Sequence, residues 1–236
     1  MHAEKDGIVY YCKRPKEADW NEHEIAVHML KRGFWEYFQM EFREEDVQRR
    51  EDGKPYYAAK PDLKFNISHC RGGVAVVLSD KEVGIDVEGM RRVNRRTVKK
   101  CCSREEMEYV FGRRADSRKE ILSRHSVISK KQDREEEKDA LQEEEIRRFL
   151  HLWTLKESYV KMTGEGLRSS FDRVCFLPWD LQKMEEKEIR EIKGVDSMCR
   201  HYVYSSGELM MALTVQWKKE KGDPDFMWRE GFSFLE

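Results

Sequence analysis

Hydrophobic residues recur with helical spacing through the stretch Phe149–Gly164. Good helix formers run without proline or glycine until Gly164, a residue suited to the left-handed position just past a helix C-terminus. At roughly 100° per residue, one broad face of this helix is apolar. That face carries Phe149, Leu152, Trp153, Leu155, Tyr159, Val160 and Met162. The pattern predicts a helix packed against a core.

Three charged residues of this helix need an explanation. Glu157 and Lys161 lie together on the polar face, whereas Lys156 falls within the apolar face. Glu157 and Lys161 have the spacing of a surface ion pair, which contributes only about 0.2–0.5 kcal/mol. Lys156 can lay its methylene groups on apolar neighbours and keep its ammonium in water. These surface interpretations compete with one in which the charges line a functional site.

Alternating or continuous apolar runs predict strands in both halves of the chain. The first half has them at residues 7–12, 64–69, 74–78 and 83–89, and the last three are predicted to form an antiparallel meander. The second half has them at residues 173–176, 199–205 and 209–217. Further helices are predicted at about residues 21–40, with a break at Gly33, and at residues 98–110.

The order of these elements divides the chain into two halves, 1–88 and 89–236. Each half is predicted to hold a small antiparallel sheet packed on helices, which gives an α+β fold with pseudo-twofold symmetry. Element order alone suggests this duplication, because the halves share no residue-level repeat. Between about residues 112 and 144, Arg, Lys and Glu dominate, which predicts a solvated insertion in the second half.

Composition adds few constraints. The chain has 236 residues, of which 39% are charged, but 45 basic and 46 acidic residues leave a formal charge of −1. This balance gives no reason to expect a nucleic-acid or membrane partner. The N-terminus is polar and no run of about 18 apolar residues exists, so we expect a cytoplasmic protein. Six scattered cysteines in a chain of this size are expected to be free thiols.

Two carboxylates lie close together on a predicted strand. The two-residue period places Asp86 and Glu88 on one face, about 7 Å apart, and Ile85 and Val87 on the other. Carboxylates this close repel each other unless a cation or proton joins them, and Mg²⁺ binds such oxygens while keeping positions for phosphate. An acidic strand end exposed to solvent is the alternative. Glu157 is a candidate third carboxylate.

Two other segments carry polar residues suited to a ligand. The run Asn66–His69 ends a strand shortly before Gly72 and Gly73, where a hydroxyl and an imidazole can approach a bound molecule. Gly53–Pro55 places a lysine in a rigid turn. Considered one at a time, His69 can equally well be an ordinary loop histidine and Lys54 a solvated lysine.

Five segments, in this order, resemble the signature motifs of the 4′-phosphopantetheinyl transferases that activate surfactin synthetase. They are Gly53–Pro55, Phe65–His69, Gly84–Glu88, Cys102–Glu106 and Trp153–Lys161. Each motif alone is modest, whereas the ordered set is specific. The resemblance covers about residues 53–166. In the C-terminal strands, the chain agrees with the family only in the type of secondary structure.

The resemblance implies a monomer whose two halves meet around coenzyme A. It also implies a magnesium-dependent transfer of the 4′-phosphopantetheine group of coenzyme A to a serine of an apo acyl or peptidyl carrier protein, with release of adenosine 3′,5′-bisphosphate. Phosphoryl transfer mainly requires positioning and neutralisation of charge, which a metal ion and lysines supply.

The resemblance further implies roles for single residues. Asp86, Glu88 and Glu157 match the Mg²⁺ ligands, and Lys161 matches a lysine that contacts the pyrophosphate. Glu157 or a metal-bound water is then the candidate base for the carrier serine.

Five residues are assigned to binding of coenzyme A, and one of them is Lys161 through its contact with the pyrophosphate. Lys54, Ser68 and His69 match positions that hold its phosphates. Lys156 is interpreted as a charge at the seam between the halves, facing the phosphate-lined cleft.

The chain departs from the larger members of this family in two respects. The Arg-rich segment that those members place before their first long helix is missing or reduced here, and the 112–144 insertion falls in the carrier-contacting region.

Two other classes of protein stay open. A metal-dependent phosphohydrolase or nuclease would use similar carboxylates and lysines without a carrier protein. A non-catalytic module that binds coenzyme A or a carrier is expected to have lost a metal carboxylate.

Overall fold

The computed structural model of this protein describes residues 5–13, 20–112, 140–165, 174–176, 187–192, 196–217 and 222–231. Most of the predicted insertion, residues 113–139, lies outside the described residues.

Among the described elements, a strand and a long helix are followed by five strands, three helices and four further strands. The strands are β1 Gly7–Lys13, β2 Val47–Arg49, β3 Pro55–Tyr57, β4 Lys64–Cys70, β5 Gly73–Ser79, β6 Val83–Gly89, β7 Ile189–Ile192, β8 Cys199–Ser206, β9 Leu209–Gln216 and β10 Phe226–Glu230. The helices are α1 Glu22–Phe38, α2 Arg95–Cys101, α3 Arg104–Val110 and α4 Glu143–Thr163.

The first sheet has the strand order β10-β1-β5-β4, and its outer face packs on α1. Strand β1 runs antiparallel to β5 and parallel to β10. Helix α1 begins at a capping box formed by Asn21 and Glu24, which satisfies two otherwise unpaired backbone groups. It continues through Gly33, so the predicted break is wrong. A Cβ at Gly33 would lie 2.4 Å from Leu78 Cδ1, so the absence of a side chain here favours close packing of the helix on the sheet.

The second sheet has the order β6-β9-β8-β7, and α4 packs on its outer face. Helix α4 ends as predicted at Gly164, which has a φ of 79° and donates its backbone N–H to Val160 O. The predicted helix at 98–110 is two helices, because Ser103 caps the start of α3 with its side chain.

The two sheets pack against each other, which gives four layers in the order α1, first sheet, second sheet and α4. Apolar side chains of both sheets, including Val77, Ile85 and Leu213, form the core between them. The mixed arrangement confirms the α+β class, while the symmetry between the halves stays a prediction. All six cysteines lie in the described residues and none forms a disulfide bond, in agreement with the prediction.

Two strands do not follow the predicted division at residue 88. Strand β6 pairs with β9 of the second sheet and not with β5, so the predicted meander is wrong in its third strand. Strand β10, which is absent from the strands predicted above, joins the first sheet beside β1. Each half therefore contributes one strand to the other half's sheet. In the described part of the chain, no helix is both long and apolar enough to cross a membrane.

Candidate functional site

The close approach of α4 to β6 builds the candidate site. The two-residue period of β6 directs Ile85 and Val87 into the core between the sheets, so Gly84 and Asp86 face α4. A Cβ at Gly84 would lie 2.0 Å from Ser158 O, a distance that no side chain allows. Glycine at this position therefore lets the helix backbone rest directly on the strand.

Asp86, Lys161 and Ser68 form a hydrogen-bonded triangle at this contact. Lys161 Nζ lies 2.7 Å from Asp86 Oδ1 and 2.9 Å from Ser68 Oγ, and Ser68 Oγ donates to the same carboxylate oxygen at 2.8 Å. Asp86 is only 5% exposed, so the alternative of a solvent-exposed strand end is wrong. Burial raises the pKa of Asp86, and the charge of Lys161 opposes that shift. Its other oxygen, Oδ2, is buried and has no hydrogen-bond partner among the described residues.

Two further carboxylates lie near this triangle. Glu157 is buried on α4, and burial followed by the negative charge of Asp86 raises the pKa of Glu157 to about 7. Glu88 is half-buried and accepts hydrogen bonds from Arg91 at 3.1 and 3.3 Å. Burial and the negative charge of Asp86 both disfavour the ionised form of Glu157, a situation that a proton or a cation relieves.

The donor chemistry of the site fits Mg²⁺. Carboxylate oxygens are its preferred protein ligands, and the buried, unpartnered Oδ2 of Asp86 is such a donor. In the described residues, however, no three His, Cys, Asp or Glu side chains converge with metal-binding geometry. Lys161 and Arg91 engage Asp86 and Glu88 instead. Ligation of Mg²⁺ by Asp86, Glu88 and Glu157 thus stays a prediction.

Side chains of β4 cover the free edge of β6. Asn66 Oδ1 accepts a hydrogen bond from the backbone N–H of Ile85 at 2.9 Å, and Ser68 Oγ accepts one from the N–H of Val87 at 3.2 Å. These two N–H groups flank Asp86 along the strand. His69, the next residue of β4, is exposed. The strand thus uses Asn66 and Ser68 to hold β6 and directs His69 elsewhere.

Lys54 lies at the other end of the contact between α4 and β6, next to the C-terminus of α4. Its ammonium donates to Glu82 at 2.9 Å, to Val83 O at 3.3 Å and to Met162 O at 2.8 Å. Burial lowers the pKa of Lys54, and the hydrogen bond and charge of Glu82 oppose that shift. Lys54 therefore bridges the two elements that carry Asp86 and Lys161.

The structure corrects the interpretation of Lys156. Its side chain is 1% exposed and forms an ion pair of 2.8 Å with Glu106, which is fully buried. The same ammonium donates to Cys101 O at 2.7 Å. Lys156 therefore holds α3 against α4 inside the second half and does not face a phosphate-lined cleft. Helical spacing placed it correctly on the apolar face, but its partner on another helix was not visible from that spacing.

The sequence interpretation missed three residues that support the site. They are Glu82, which binds Lys54, Asn66, which holds the edge of β6, and Arg91, which pairs with Glu88. For Asn66 a signal existed, because the alternation in β4 puts it on the same face as Ser68. Glu82 and Arg91 gave no comparable signal, since charged residues in turns are usually solvated.

A family model described as the 4′-phosphopantetheinyl transferase superfamily matches residues 82–205, more than half of the chain. The chain belongs to this superfamily. The matched range includes β6 and α4, the two elements that carry Asp86, Glu157 and Lys161. The resemblance drawn from the five motifs is thereby confirmed.

Curated members of the superfamily are 26% to 32% identical to this chain over aligned stretches of 116 to 137 residues. The transferase Sfp of Bacillus subtilis strain 168 is 28% identical over 123 residues, which cover 52% of this chain and 43% of Sfp. The transferase gsp of Aneurinibacillus migulanus is 28% identical over 120 residues, 51% of this chain and 38% of gsp. The transferase AcpT of Escherichia coli K12 is 32% identical over 117 residues, 48% of this chain and 46% of AcpT. The chain thus spans less than half the length of these relatives.

Proposed function

We propose that this protein is a 4′-phosphopantetheinyl transferase. It moves the 4′-phosphopantetheine group of coenzyme A to a serine hydroxyl of an apo acyl or peptidyl carrier protein and releases adenosine 3′,5′-bisphosphate. The observation that carries the proposal is the contact of α4 with β6, which brings Lys161, Glu157 and the buried Asp86 together in the part of the chain that matches the superfamily.

The chemistry of the site supports this reaction. Transfer of a phosphoryl group requires that charge on the pyrophosphate be neutralised and that the acceptor hydroxyl be positioned. Lys161 is half-buried and offers an ammonium to the pyrophosphate. Mg²⁺, held by Asp86, Glu88 and Glu157, would supply further positive charge and polarise the transferred group. Glu157 is the candidate acceptor for the proton of the carrier serine.

Transfer is tested with purified protein, coenzyme A, Mg²⁺ and a panel of apo carrier proteins. The mass of a carrier substrate should rise by one phosphopantetheinyl group. A panel that includes acyl and peptidyl carriers identifies which class is served, and no mass shift on any carrier would refute the enzyme proposal. A parallel reaction without carrier distinguishes a phosphohydrolase, which would cleave coenzyme A on its own.

The carboxylate assignment is tested with Asp86→Asn. This variant keeps an oxygen for Ser68 but loses the negative charge, and we expect transfer to fall at least about a hundredfold. Asp80→Asn, in the exposed turn between β5 and β6, is the matched control and should keep wild-type activity. Circular dichroism checks that both variants fold. Full activity of a folded Asp86→Asn variant would show that the metal assignment is wrong.

A further inference from the structure

Lys54 uses its whole hydrogen-bonding capacity inside the protein. An ammonium has three N–H donors. The ammonium of Lys54 has three acceptors, Glu82 Oε2, Val83 O and Met162 O, and the residue is 8% exposed. A phosphate bound by this ammonium would have to replace at least one of these contacts. The displaced acceptor, either a backbone carbonyl oxygen or the carboxylate of Glu82, would then lose a buried partner, which carries a free-energy cost.

The two carbonyl acceptors belong to the two elements that form the candidate site. Val83 begins β6, the strand of Asp86, and Met162 directly follows Lys161 in the last turn of α4. The last carbonyl groups of a helix lack intrahelical partners and carry partial negative charge. A single buried cation therefore satisfies the end of α4 and the start of β6 together. The close contact at Gly84 adjoins both anchor points, since Gly84 follows Val83 and a Cβ there would lie 2.4 Å from Met162 N.

Glu82 completes the arrangement without leaving a buried charge unpaired. Burial raises its pKa, but the hydrogen bond and charge of Lys54 and the nearby Arg50 lower the pKa of Glu82 to about 2. Lys64 reaches the same carboxylate at 3.3 Å, and its ammonium also donates to Pro61 O. Lys64 thus shares the acidic partner of Lys54 but not its contacts with Val83 and Met162.

We propose that Lys54 is a positioning residue that fixes α4 against β6, and that it does not bind a phosphate of coenzyme A. This inference rests on the proposed transferase function. It replaces the role that the family resemblance implied for Lys54. Lys54 acts on the reaction through Asp86 and Lys161, whose separation depends on where the helix rests on the strand.

The kinetic test compares Lys54→Met with the matched control Lys64→Met. Each removes one ammonium from Glu82, but only Lys54→Met releases Val83 O and Met162 O. We expect Lys54→Met to lower kcat at least tenfold, because a displacement of about 1 Å at a reacting centre can cost a hundredfold. KM for coenzyme A should stay within about threefold of wild type, since positioning of the site and binding of the substrate phosphates are separate contributions. Lys64→Met should keep kcat within about threefold.

The 3′-phosphate of coenzyme A gives a second readout. If Lys54 is a positioning residue, wild type and Lys54→Met will prefer coenzyme A over 3′-dephospho-coenzyme A by the same ratio of kcat/KM. A raised KM for coenzyme A together with a reduced ratio would mean that Lys54 binds the 3′-phosphate, and would overturn the proposal. An unchanged kcat in a folded Lys54→Met variant would overturn it as well.

A measurement on the wild-type protein keeps the proposal testable if Lys54→Met does not fold. Brief acetylation followed by mass spectrometry reports the accessibility of each lysine. Lys54 should react at least tenfold more slowly than Lys64, both with and without coenzyme A. Rapid acetylation of Lys54 that coenzyme A prevents would identify it as a ligand. Absence of transfer by the wild-type protein would refute the proposed function, whereas the acetylation pattern would still test the contacts of Lys54.

Discussion

The substitution Lys156→Met tests the buried ion pair between α4 and α3. Methionine keeps most of the length of the lysine side chain but removes the ammonium, so Glu106 remains buried without its countercharge. Both oxygens of Glu106 are already used, because they accept the backbone N–H groups of Ser103 and Phe176. The carboxylate therefore cannot turn towards solvent without breaking those bonds.

The size of the effect follows from this burial. Removing one partner of a buried ion pair typically costs about 3–5 kcal/mol. Arg104 and Glu108 form an exposed pair of 3.4 Å on the same helix, α3. Loss of an exposed pair costs at most about 1 kcal/mol. Arg104→Met is thus a control with the same kind of change in a solvated setting.

Urea denaturation followed by circular dichroism measures both variants. We expect Lys156→Met to lower the unfolding midpoint strongly, with an unchanged dependence on urea concentration, and Arg104→Met to change it little. Where Lys156→Met is still folded, its KM for coenzyme A should equal that of wild type. Wild-type stability together with a raised KM would refute the structural role and would indicate that Lys156 binds coenzyme A.

Two further predictions concern the packing of α4 and the stability in acid. Gly84→Ala should destabilise the protein by about 1–3 kcal/mol and reduce transfer, because the new Cβ meets Ser158 O at 2.0 Å. The control Gly89→Ala, on the same strand, has its nearest neighbour at 3.4 Å and should be tolerated. Equal urea midpoints for the two variants would contradict this prediction. Burial lowers the pKa of His151 and of His201 to about 4, so only the unfolded state takes up their protons as the pH falls from about 6.5. Each histidine should therefore lower the free energy of unfolding by up to about 3 kcal/mol by pH 4. A thermal unfolding midpoint that does not change between pH 7 and pH 5 would show that these groups do not titrate as inferred.

Local sequence patterns predicted the elements well where one face of an element packs against a core. The two-residue period of β6 and the glycine end of α4 both agree with the structure, since each depends on the immediate chain. The pairing of β6 could not be predicted from the same pattern. A strand with one apolar face fits the first sheet and the second sheet equally well, and the choice depends on contacts with β9 and with Asn66 that are distant in sequence.

The charged residues of the candidate site show the same limit. The spacing of Glu157 and Lys161 correctly placed them on one side of α4, and the fold brings both residues close to Asp86. Their roles in binding Mg²⁺ and coenzyme A stay predictions. Lys156 was misassigned because a lysine on an apolar face can either reach solvent or meet a buried acid, and only the three-dimensional position of Glu106 decides between the two.

The place of β10 beside β1 has a consequence for synthesis of the protein. Gly7 pairs with Phe226, so the first sheet joins two segments that lie more than 200 residues apart in the chain. While the ribosome is still translating the second half, β1 exposes an unpaired edge, and unpaired edges favour association with other chains. Completion of the first sheet therefore waits until residues 226–230 have emerged, and we expect the nascent protein to depend on chaperones until that point.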